Sequence, residues 1–386
     1  MYRVTIVRGG TSKGIYILKN VLPYEPEKRD PIILAIFGSP DIRQIDGLGG
    51  ADVLTSKLAI LGPPTRPDAD VDYTFGQVRL DEPKVDYQGN CGNISAGVGP
   101  AAIHLGLVSK QEPVTKVRIH LTNFNCILRA EVPVRNGEVE VDGDYAIAGV
   151  PGTGARIDLD FCDTGGAKTG RLLPTGNVKD TIHVDGIGDV TMSLVDAGNP
   201  TAFVAATDLG LTGTETPLQI TSNKDLLGKL ERIREHAAVP FGFARTWQEA
   251  KDTSPFIPFL CIVGPAQTYR DFTTGNTVPA ASMDIVCRQY FEHTIHKAIA
   301  GTEAVCAGTA ARIPGTVVNL LMPAATQVAE IVRIGDPVGV FPVGIAVDLA
   351  GGKPVLRKAT FGRTARLIMD GYVYVRKSTQ AGSGGA

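Results

Sequence analysis

Short apolar runs that alternate with polar residues recur along most of this chain. Examples are YRVTIV at 2–7, KVRIHLT at 116–122 and TAFVAAT at 201–207. Gly, Pro, Asn or Asp bounds many of these runs, as is typical of strands joined by tight turns. The pattern therefore predicts a protein built mainly of short strands.

Fewer segments carry the helical period. Residues 222–237 place Leu226, Leu230 and Ile233 on one face, behind a Ser or Asn that can cap the helix. Further helices are predicted over three other segments, namely 28–37, 282–300 (with Ser282 as its cap) and 308–321.

The segment 92–106 (GNISAGVGPAAIHLG) has small residues on all sides, which predicts a helix that is buried all round. Each half of the chain holds many strands, one small-residue helix and another helix outside it, and a length of 386 residues favours two domains. We expect an α+β fold of two similar domains, 1–184 and 185–369, each a curved, barrel-like sheet around a central helix. The last strand, 370–377, is expected to join the first domain, and 378–386 to be a disordered tail.

Composition and charge exclude several classes of protein. A net charge of −2 leaves no electrostatic footprint for nucleic acid or an anionic membrane. No apolar run is long enough to span a bilayer, and the N-terminus does not have the pattern of a signal peptide. The six cysteines form no CxxC pair, which argues against zinc and against a disulfide framework. We therefore expect a cytoplasmic protein without a metal site.

The strongest candidate for chemistry is Cys91 in the sequence GNCGN, directly before the small-residue helix. Unpaired backbone N–H groups and the positive end of the helix dipole both favour a thiolate at such a position. The same N–H groups form an anion site that suits a carboxylate. Asn90, Gly92 and Asn93 are therefore candidates for substrate binding.

Two further segments of the first half offer polar groups. RGGTSKG at 8–14 supplies backbone donors, two cations and the hydroxyls of Thr11 and Ser12, although it lacks the spacing of a P-loop. Lys57 is the only charge in an apolar run, and desolvation there would favour its neutral amine as a proton carrier.

In the second half, two glycine turns at expected helix starts are candidates for substrate binding. The first contains Gly275 and Asn276, and the second contains Gly308 and Thr309. Arg312 follows the second turn and could pair with a substrate carboxylate. His296, expected on the 282–300 helix, is interpreted as structural.

Several of these motifs, taken together, resemble the PrpF family. They are RGGTSKG at 8–14, DGLGGAD at 46–52, LTSK at 54–57, GNCGN at 89–93, VGP at 98–100, GNPT at 198–201 and AARIPGT at 310–316. The resemblance extends from residue 3 to about 376. One departure is Asp336-Pro337-Val338-Gly339, where the family often has His-Pro-Ser-Gly.

The resemblance implies the diaminopimelate epimerase-like fold and an isomerase that needs no cofactor. The implied reaction moves a C=C bond by a 1,3-proton shift in a small unsaturated di- or tricarboxylic acid, 3-methylitaconate being the first expectation. Aconitate, 2-methylaconitate and 4-oxalomesaconate are the alternatives. Lys57 and Cys91 are implied as the acid–base pair, with Lys57 favoured, and Ser12 as a substrate ligand.

Two other functions are kept open at this point. A racemase or epimerase on the same fold would use Cys91 and Cys306, each at the start of a central helix. A non-catalytic binding protein on the same fold would have no need of a desolvated charge at Lys57. Assembly of identical chains is a further expectation that the sequence does not resolve.

Overall fold

The chain folds as two units in the computed structural model, which describes residues 1–376. Unit 1 consists of Met1–Leu159 together with the chain from Gly362 onward, and unit 2 is Asp160–Phe361. The division lies before the expected boundary at 184/185, because the strand Asp180–Val184 pairs with the strand that follows it, in unit 2. The expected tail, 378–386, lies outside the described residues.

Unit 1 contains two α-helices, as far as the described residues go. These are α1 (Pro26–Phe37) and α2 (Gly92–His104). Its strands are β1 (Tyr2–Gly9), β2 (Ser12–Leu18), β3 (Lys57–Gly62), β4 (Val71–Val78), β5 (Val85–Asp86), β6 (Val114–Leu121), β7 (Cys126–Arg135), β8 (Glu138–Val139), β9 (Ile157–Asp160) and the last strand, β21 (Ala365–Val373).

The main sheet of unit 1 has the order β21-β1-β2-β3-β4-β6-β7. Neighbours are antiparallel except for the pairs β2–β3 and β4–β6, which are parallel. Helix α2 contacts β1, β2, β3, β6, β7 and β21, so the sheet curves around it. Gly and Ala are required there because a Cβ on Gly97 would lie 2.3 Å from the Tyr16 hydroxyl.

Unit 2 contains the remaining helices, α3 (Pro217–Thr221), α4 (Lys224–Ala238), α5 (Trp247–Thr253), α6 (Gly301–Ala311) and α7 (Val317–Leu321). Its strands are β10 (Asp180–Val184), β11 (Gly188–Ala197), β12 (Asn199–Ala205), β13 (Phe259–Pro265), β14 (Tyr269–Arg270), β15 (Thr277–Val278), β16 (Ile285–Phe291), β17 (Thr294–Ile295), β18 (Ile331–Asp336), β19 (Gly339–Ala350) and β20 (Lys353–Arg363). The end of β20, Gly362 and Arg363, belongs to unit 1.

The sheet of unit 2 repeats the pairing scheme of unit 1. Its order is β10-β11-β12-β13-β16-β18-β19, with only β12–β13 and β16–β18 parallel. Helix α6 is buried along its whole length and follows β16 and β17, just as α2 follows β4 and β5. Two similar domains, each with a sheet around a central helix, are therefore present in the described chain.

The predicted helices at 28–37, 92–106 and 222–237 correspond to α1, α2 and α4, and Asn223 caps α4 through the Leu226 N–H. The helix predicted over 282–300 is wrong. Residues 285–291 form a fully buried strand, since IVCRQYF is rich in β-branched and aromatic side chains that pack on both faces of the sheet. None of the helices within residues 1–376 is long and apolar enough to cross a membrane.

Candidate functional site

The N-terminus of α2 is the centre of the candidate site in unit 1. Cys91 is the N-cap residue in extended backbone, its thiol is 3% exposed, and it makes no side-chain capping bond to the described helix. Asn90, Gly92 and Asn93 are buried around it. The Ser95 hydroxyl donates to the Cys91 carbonyl at 2.9 Å and so holds the first turn closed.

The hairpin between β1 and β2 presses its tip against this first turn. A Cβ on Gly9 would lie 2.2 Å from the Asn93 carbonyl oxygen, so only glycine permits the approach. The amide of Asn93 donates to the Thr11 hydroxyl at 3.1 Å, while its oxygen accepts from the Thr11 N–H at 3.4 Å. Thr11 and Asn93 therefore lie together, as two of the predicted binding residues.

Arg363, which sequence reasoning missed, also belongs to this cluster. It is 5% exposed, and its Nε donates to the Asn93 side-chain oxygen at 3.1 Å. Nearby Arg8 donates to the carbonyls of Gly10 and Thr364, and burial, with a smaller contribution from Arg366, lowers the pKa of Arg8. A buried guanidinium at a helix N-terminus favours an anion such as a carboxylate. No local motif marks Arg363, because the contact joins residues distant in sequence.

Lys57 opens β3 and is 4% exposed. Its Nζ donates to the side-chain oxygen of Gln77 at 2.8 Å and lies 5.5 Å from the centre of the Phe75 ring. Its strand partner is Gly14, and a Cβ on Gly14 would lie 2.8 Å from Ile94 in the first turn of α2. Lys57 therefore occupies the strand that passes the candidate anion site.

Ser12 is 2% exposed, and its hydroxyl has no hydrogen-bond partner within the described part of the chain. Because a buried hydroxyl without a partner costs stability, we expect Ser12→Ala to leave the free energy of unfolding unchanged or slightly higher. If the hydroxyl binds a substrate carboxylate, the same change should raise KM by about tenfold. Steady-state kinetics and thermal unfolding measure the two effects.

Ser193→Ala is the matched control for Ser12→Ala. The Ser193 hydroxyl is also buried but donates to the Val178 carbonyl at 2.6 Å and accepts from the Val317 N–H at 2.8 Å. This change should lower the free energy of unfolding and leave KM as it is. A Ser12→Ala protein that loses stability and keeps its KM would show that Ser12 is structural.

Gly308, Thr309 and Arg312 do not lie at a helix start, which corrects the expectation for them. Helix α6 begins at Gly301, so Gly308 and Thr309 are buried in its interior and Arg312 is its C-cap. The Arg312 guanidinium donates to the carbonyls of Thr326, Gln327, Ala329 and Ile331. The misplacement arose because Gly308 was interpreted as a turn, whereas it allows Val343 and Ile345 to pack against the helix.

Gly275 and Asn276 also lie elsewhere than expected. They form the exposed turn between β14 and β15, where Gly275 has φ 73° and no atom lies within 4 Å of a Cβ placed on it. No helix follows this turn, since the next elements are β15 and a short 3-10 segment at 280–282.

Cys306 lies inside α6 and not at its start. A two-cysteine racemase would need this cysteine at the start of the helix. Its thiol is fully buried and donates to the Val195 carbonyl at 3.3 Å. Burial raises the pKa of Cys306 well above its usual value, so it stays a thiol. His296, predicted on a helix, follows β17 and bonds with the Ala298 carbonyl, as a structural histidine would.

Asp336, where the family often has His, has a structural role in unit 2. Its carboxylate accepts from the Val338 N–H at 2.8 Å and from the Ile299 N–H at 3.2 Å. It therefore ties the turn between β18 and β19 to the segment that enters α6.

Glu303 is a titratable group that sequence reasoning missed, although it is the one charge within the small-residue run GTEAVCAGTAA. It is fully buried in the first turn of α6, and one carboxylate oxygen accepts from the Thr201 hydroxyl at 2.8 Å. The other oxygen has no partner among residues 1–376. Burial raises the pKa of Glu303 to about 7.

A raised pKa means that the folded state holds the Glu303 proton more tightly than the unfolded chain does. This contribution to stability is therefore present below the unfolded pKa near 4.5 and is lost as pH rises toward 7. The shift corresponds to about 3 kcal/mol. We expect Glu303→Gln to gain stability relative to the unchanged protein between pH 4.5 and 7, measured by urea unfolding; a constant difference would contradict the titration.

Comparisons with known proteins agree with this architecture. The family model described as PrpF protein matches residues 1–376. A 3-methylitaconate isomerase from Eubacterium barkeri is 53% identical over 373 residues, which cover 97% of each protein. A 2-methyl-aconitate isomerase from Shewanella oneidensis is 39% identical, with 97% of this chain and 96% of that protein covered.

Among solved structures, a methylitaconate-delta-isomerase is similar with a TM-score of 0.81 and 52% sequence identity, over 100% of this chain and 98% of that one. A probable proline racemase from Agrobacterium radiobacter has a TM-score of 0.58 at 15% identity, over 100% of this chain and 96% of that one. The second likeness concerns the fold alone. Together they confirm the α+β fold of the epimerase type.

Proposed function

The chain belongs to the PrpF protein family, and from this premise we propose that it is an isomerase that moves a C=C bond within a small unsaturated di- or tricarboxylic acid. The first candidate substrate is 3-methylitaconate, which would become 2,3-dimethylmaleate. The observation that carries this choice is the 53% identity, over 97% of both proteins, with a 3-methylitaconate isomerase. A 2-methylaconitate substrate is the second candidate, because a 2-methyl-aconitate isomerase is 39% identical.

The proposed reaction is a proton transfer between two carbons. A base takes the proton from the carbon that carries the methyl group and a carboxylate, and the electron pair moves through the former double bond. The trianionic dienolate then receives a proton at its methylene carbon, which becomes a methyl group. The sum is an isomerisation, with no atom gained or lost.

We assign the proton transfer to Lys57, with Cys91 as its partner. Lys57 is buried beside the strand that contacts the first turn of α2, and its amine would take the proton and return it at the other carbon. Negative charge accumulates on the substrate in the dienolate, and N–H groups at the start of α2 stabilise such charge. Arg363, together with Thr11, Ser12 and Asn93, supplies cationic and polar groups at the same place.

The test is ¹H NMR in D₂O with 3-methylitaconate, 2-methylaconitate, cis- and trans-aconitate and 4-oxalomesaconate. The proposal expects migration of the double bond in one of these acids, together with deuterium at the carbon that receives the proton, which in 3-methylitaconate is the new methyl carbon. Migration in 2-methylaconitate alone would replace the first candidate by the second. Failure of all the acids to exchange would overturn the isomerase proposal.

The two-cysteine alternative has a direct test in the same assay. Cys306→Ser should keep at least about half of the kcat, since the thiol lies within α6 and donates to a backbone carbonyl. A complete loss of activity in a folded Cys306→Ser protein would favour the racemase mechanism instead.

We also propose the cytoplasm as the location of this enzyme. All six cysteines are free thiols, five of them buried, which supports a reducing compartment. Fractionation of cells with an antibody against the protein tests this location.

A further inference from the structure

The repeat of the pairing scheme allows unit 2 to serve as an internal reference for Lys57. In unit 1, Val7 pairs with Gly14, and Gly14 pairs with Lys57. In unit 2 the corresponding series is Val195 with Thr201, and Thr201 with Phe259. The position of Lys57 is therefore occupied by Phe259 in the second domain.

Gln77, the strand partner of Lys57, has an aromatic counterpart as well. Lys57 lies opposite Gln77, whereas Phe259 packs against Phe291 with ring centres 5.3 Å apart. The same fold therefore holds an apolar pair at this place without loss of its architecture. Burying an amine and an amide costs free energy that the aromatic pair does not, so the polar pair serves something other than folding.

Contacts of the Gln77 amide determine which of its ends faces Lys57. Its Nε2 donates to the carbonyls of Val53 at 3.3 Å and Ser56 at 3.2 Å. Two carbonyls can accept only from the amide nitrogen, and the oxygen is thereby turned toward the Lys57 amine at 2.8 Å. Gln77 is fully buried, so this orientation is held by packing too.

An amide is the acceptor that a lysine base requires. A carboxylate at the same distance would hold the amine as an ammonium ion, which cannot take a proton. An apolar group would leave the amine without a fixed direction. A neutral amide oxygen accepts one N–H and aims the amine while allowing it to lose and regain its proton.

We propose that Gln77 is a positioning residue that aims the Lys57 amine through a neutral acceptor. The inference rests on the proposed function for the step that Lys57 performs. The contact itself, and its effect on the titration of Lys57, do not depend on that step.

The elements packed against β3 carry several other titratable groups. They are Lys13 and Tyr16 on β2, Lys19 in the following turn, Asp72 and Tyr73 on β4, Asp86 on β5, Cys91 before α2 and His104 at its end. Asp86 is the strand partner of Gln77, so of these groups its carboxylate lies next to a change at position 77.

The experiment uses Gln77→Glu in the full chain, with two readouts. Competitive acetylation with acetic anhydride, measured by mass spectrometry as a function of pH, follows the titration of Lys57. This readout does not require that the variant be active. The pH profile of kcat/KM follows the base in turnover. We expect the labelling midpoint and the rising limb to move up by at least about one pH unit, with kcat at pH 7 at least about tenfold lower. KM should change less than about threefold, because the proposed role of Gln77 includes no contact with the substrate.

Gln111→Glu is the charge-matched control, since Gln111 is an exposed residue of unit 1 outside the site, and it should move neither readout. Gln77→Met keeps the volume of the side chain but removes the oxygen that accepts from Lys57. This variant replaces Gln77→Glu in the experiment if Gln77→Glu does not fold. It should move the labelling midpoint down and lower kcat. Unchanged midpoints in the folded Gln77 variants would overturn the proposal, as would an equal shift in Gln111→Glu.

The two proposals fail in different ways. If the unchanged protein exchanges no acid, the proposed function fails, while a shifted labelling midpoint in Gln77→Glu still supports the positioning of Lys57. If the unchanged protein is active, and Gln77→Glu has the same kcat and the same Lys57 labelling midpoint as the unchanged protein, only the positioning role fails.

Discussion

Lys57→Met should abolish turnover, lowering kcat by at least about a thousandfold, in a protein that remains folded. The change removes the amine that carries the proton, and general acid–base groups contribute about 10²–10⁴ in rate. Methionine keeps the length and apolar character of the lysine stem, so the buried space beside Phe75 stays filled. Isotope exchange at saturating substrate and urea unfolding measure activity and stability separately.

Lys116→Met is the matched control for this substitution. Lys116 lies on β6 with an exposed side chain that pairs with Glu131 at 3.2 Å, and its loss should leave kcat unchanged. The free energy of unfolding of Lys57→Met should fall by no more than about 1–3 kcal/mol, because the buried Gln77 oxygen loses the amine that donates to it. Normal turnover in Lys57→Met would refute Lys57 as the proton carrier.

Gly9→Ala should lower both activity and stability, although it adds a single methyl group. The new Cβ would lie 2.2 Å from the Asn93 carbonyl oxygen and 3.2 Å from the Gly97 nitrogen, and both are backbone atoms that cannot turn away. Either the hairpin tip or the first turn of α2 must move. We expect a loss of about 2–4 kcal/mol in the free energy of unfolding and at least about a hundredfold in kcat/KM.

Gly228→Ala provides the opposite case within the same chain. Gly228 lies in the middle of α4, and nothing is within 4 Å of a Cβ placed on it. Because glycine costs helix stability relative to alanine, this change should stabilise the protein by about 0.5–1 kcal/mol without affecting kcat. If Gly9→Ala behaved like Gly228→Ala, the contact between the tip and α2 would have no importance for the site.

Local sequence was sufficient where one element decides its own environment. The run at 92–106 has no large side chain on any face, and α2 is accordingly surrounded by strands. The apolar stripe of 222–237 predicted α4, whose Leu230, Ile233 and Ala237 pack into the core of unit 2. Both cases follow from periodicity alone, because the positions of the apolar side chains determine which faces of a helix must be buried.

Local sequence failed where packing overrides the pattern. Residues 282–300 were expected to form a helix behind Ser282 as its cap, but Ile285–Phe291 is flanked by β13 and β18 and becomes a central strand. The start of α6 was placed late because Gly308 was interpreted as a turn. Glycine is required at position 308 because Val343 and Ile345 of the neighbouring strand β19 pack where a Cβ would lie.

The sequence by itself determined the predominance of short strands, the small-residue helix α2 and the polar motifs at Thr11, Lys57 and Cys91. Only the tertiary structure decided which groups meet there. Arg363 reaches Asn93 across the chain, and Gln77 turns its oxygen to Lys57. These contacts join residues far apart in sequence, and their geometry depends on strand register and buried carbonyls, which no local pattern records.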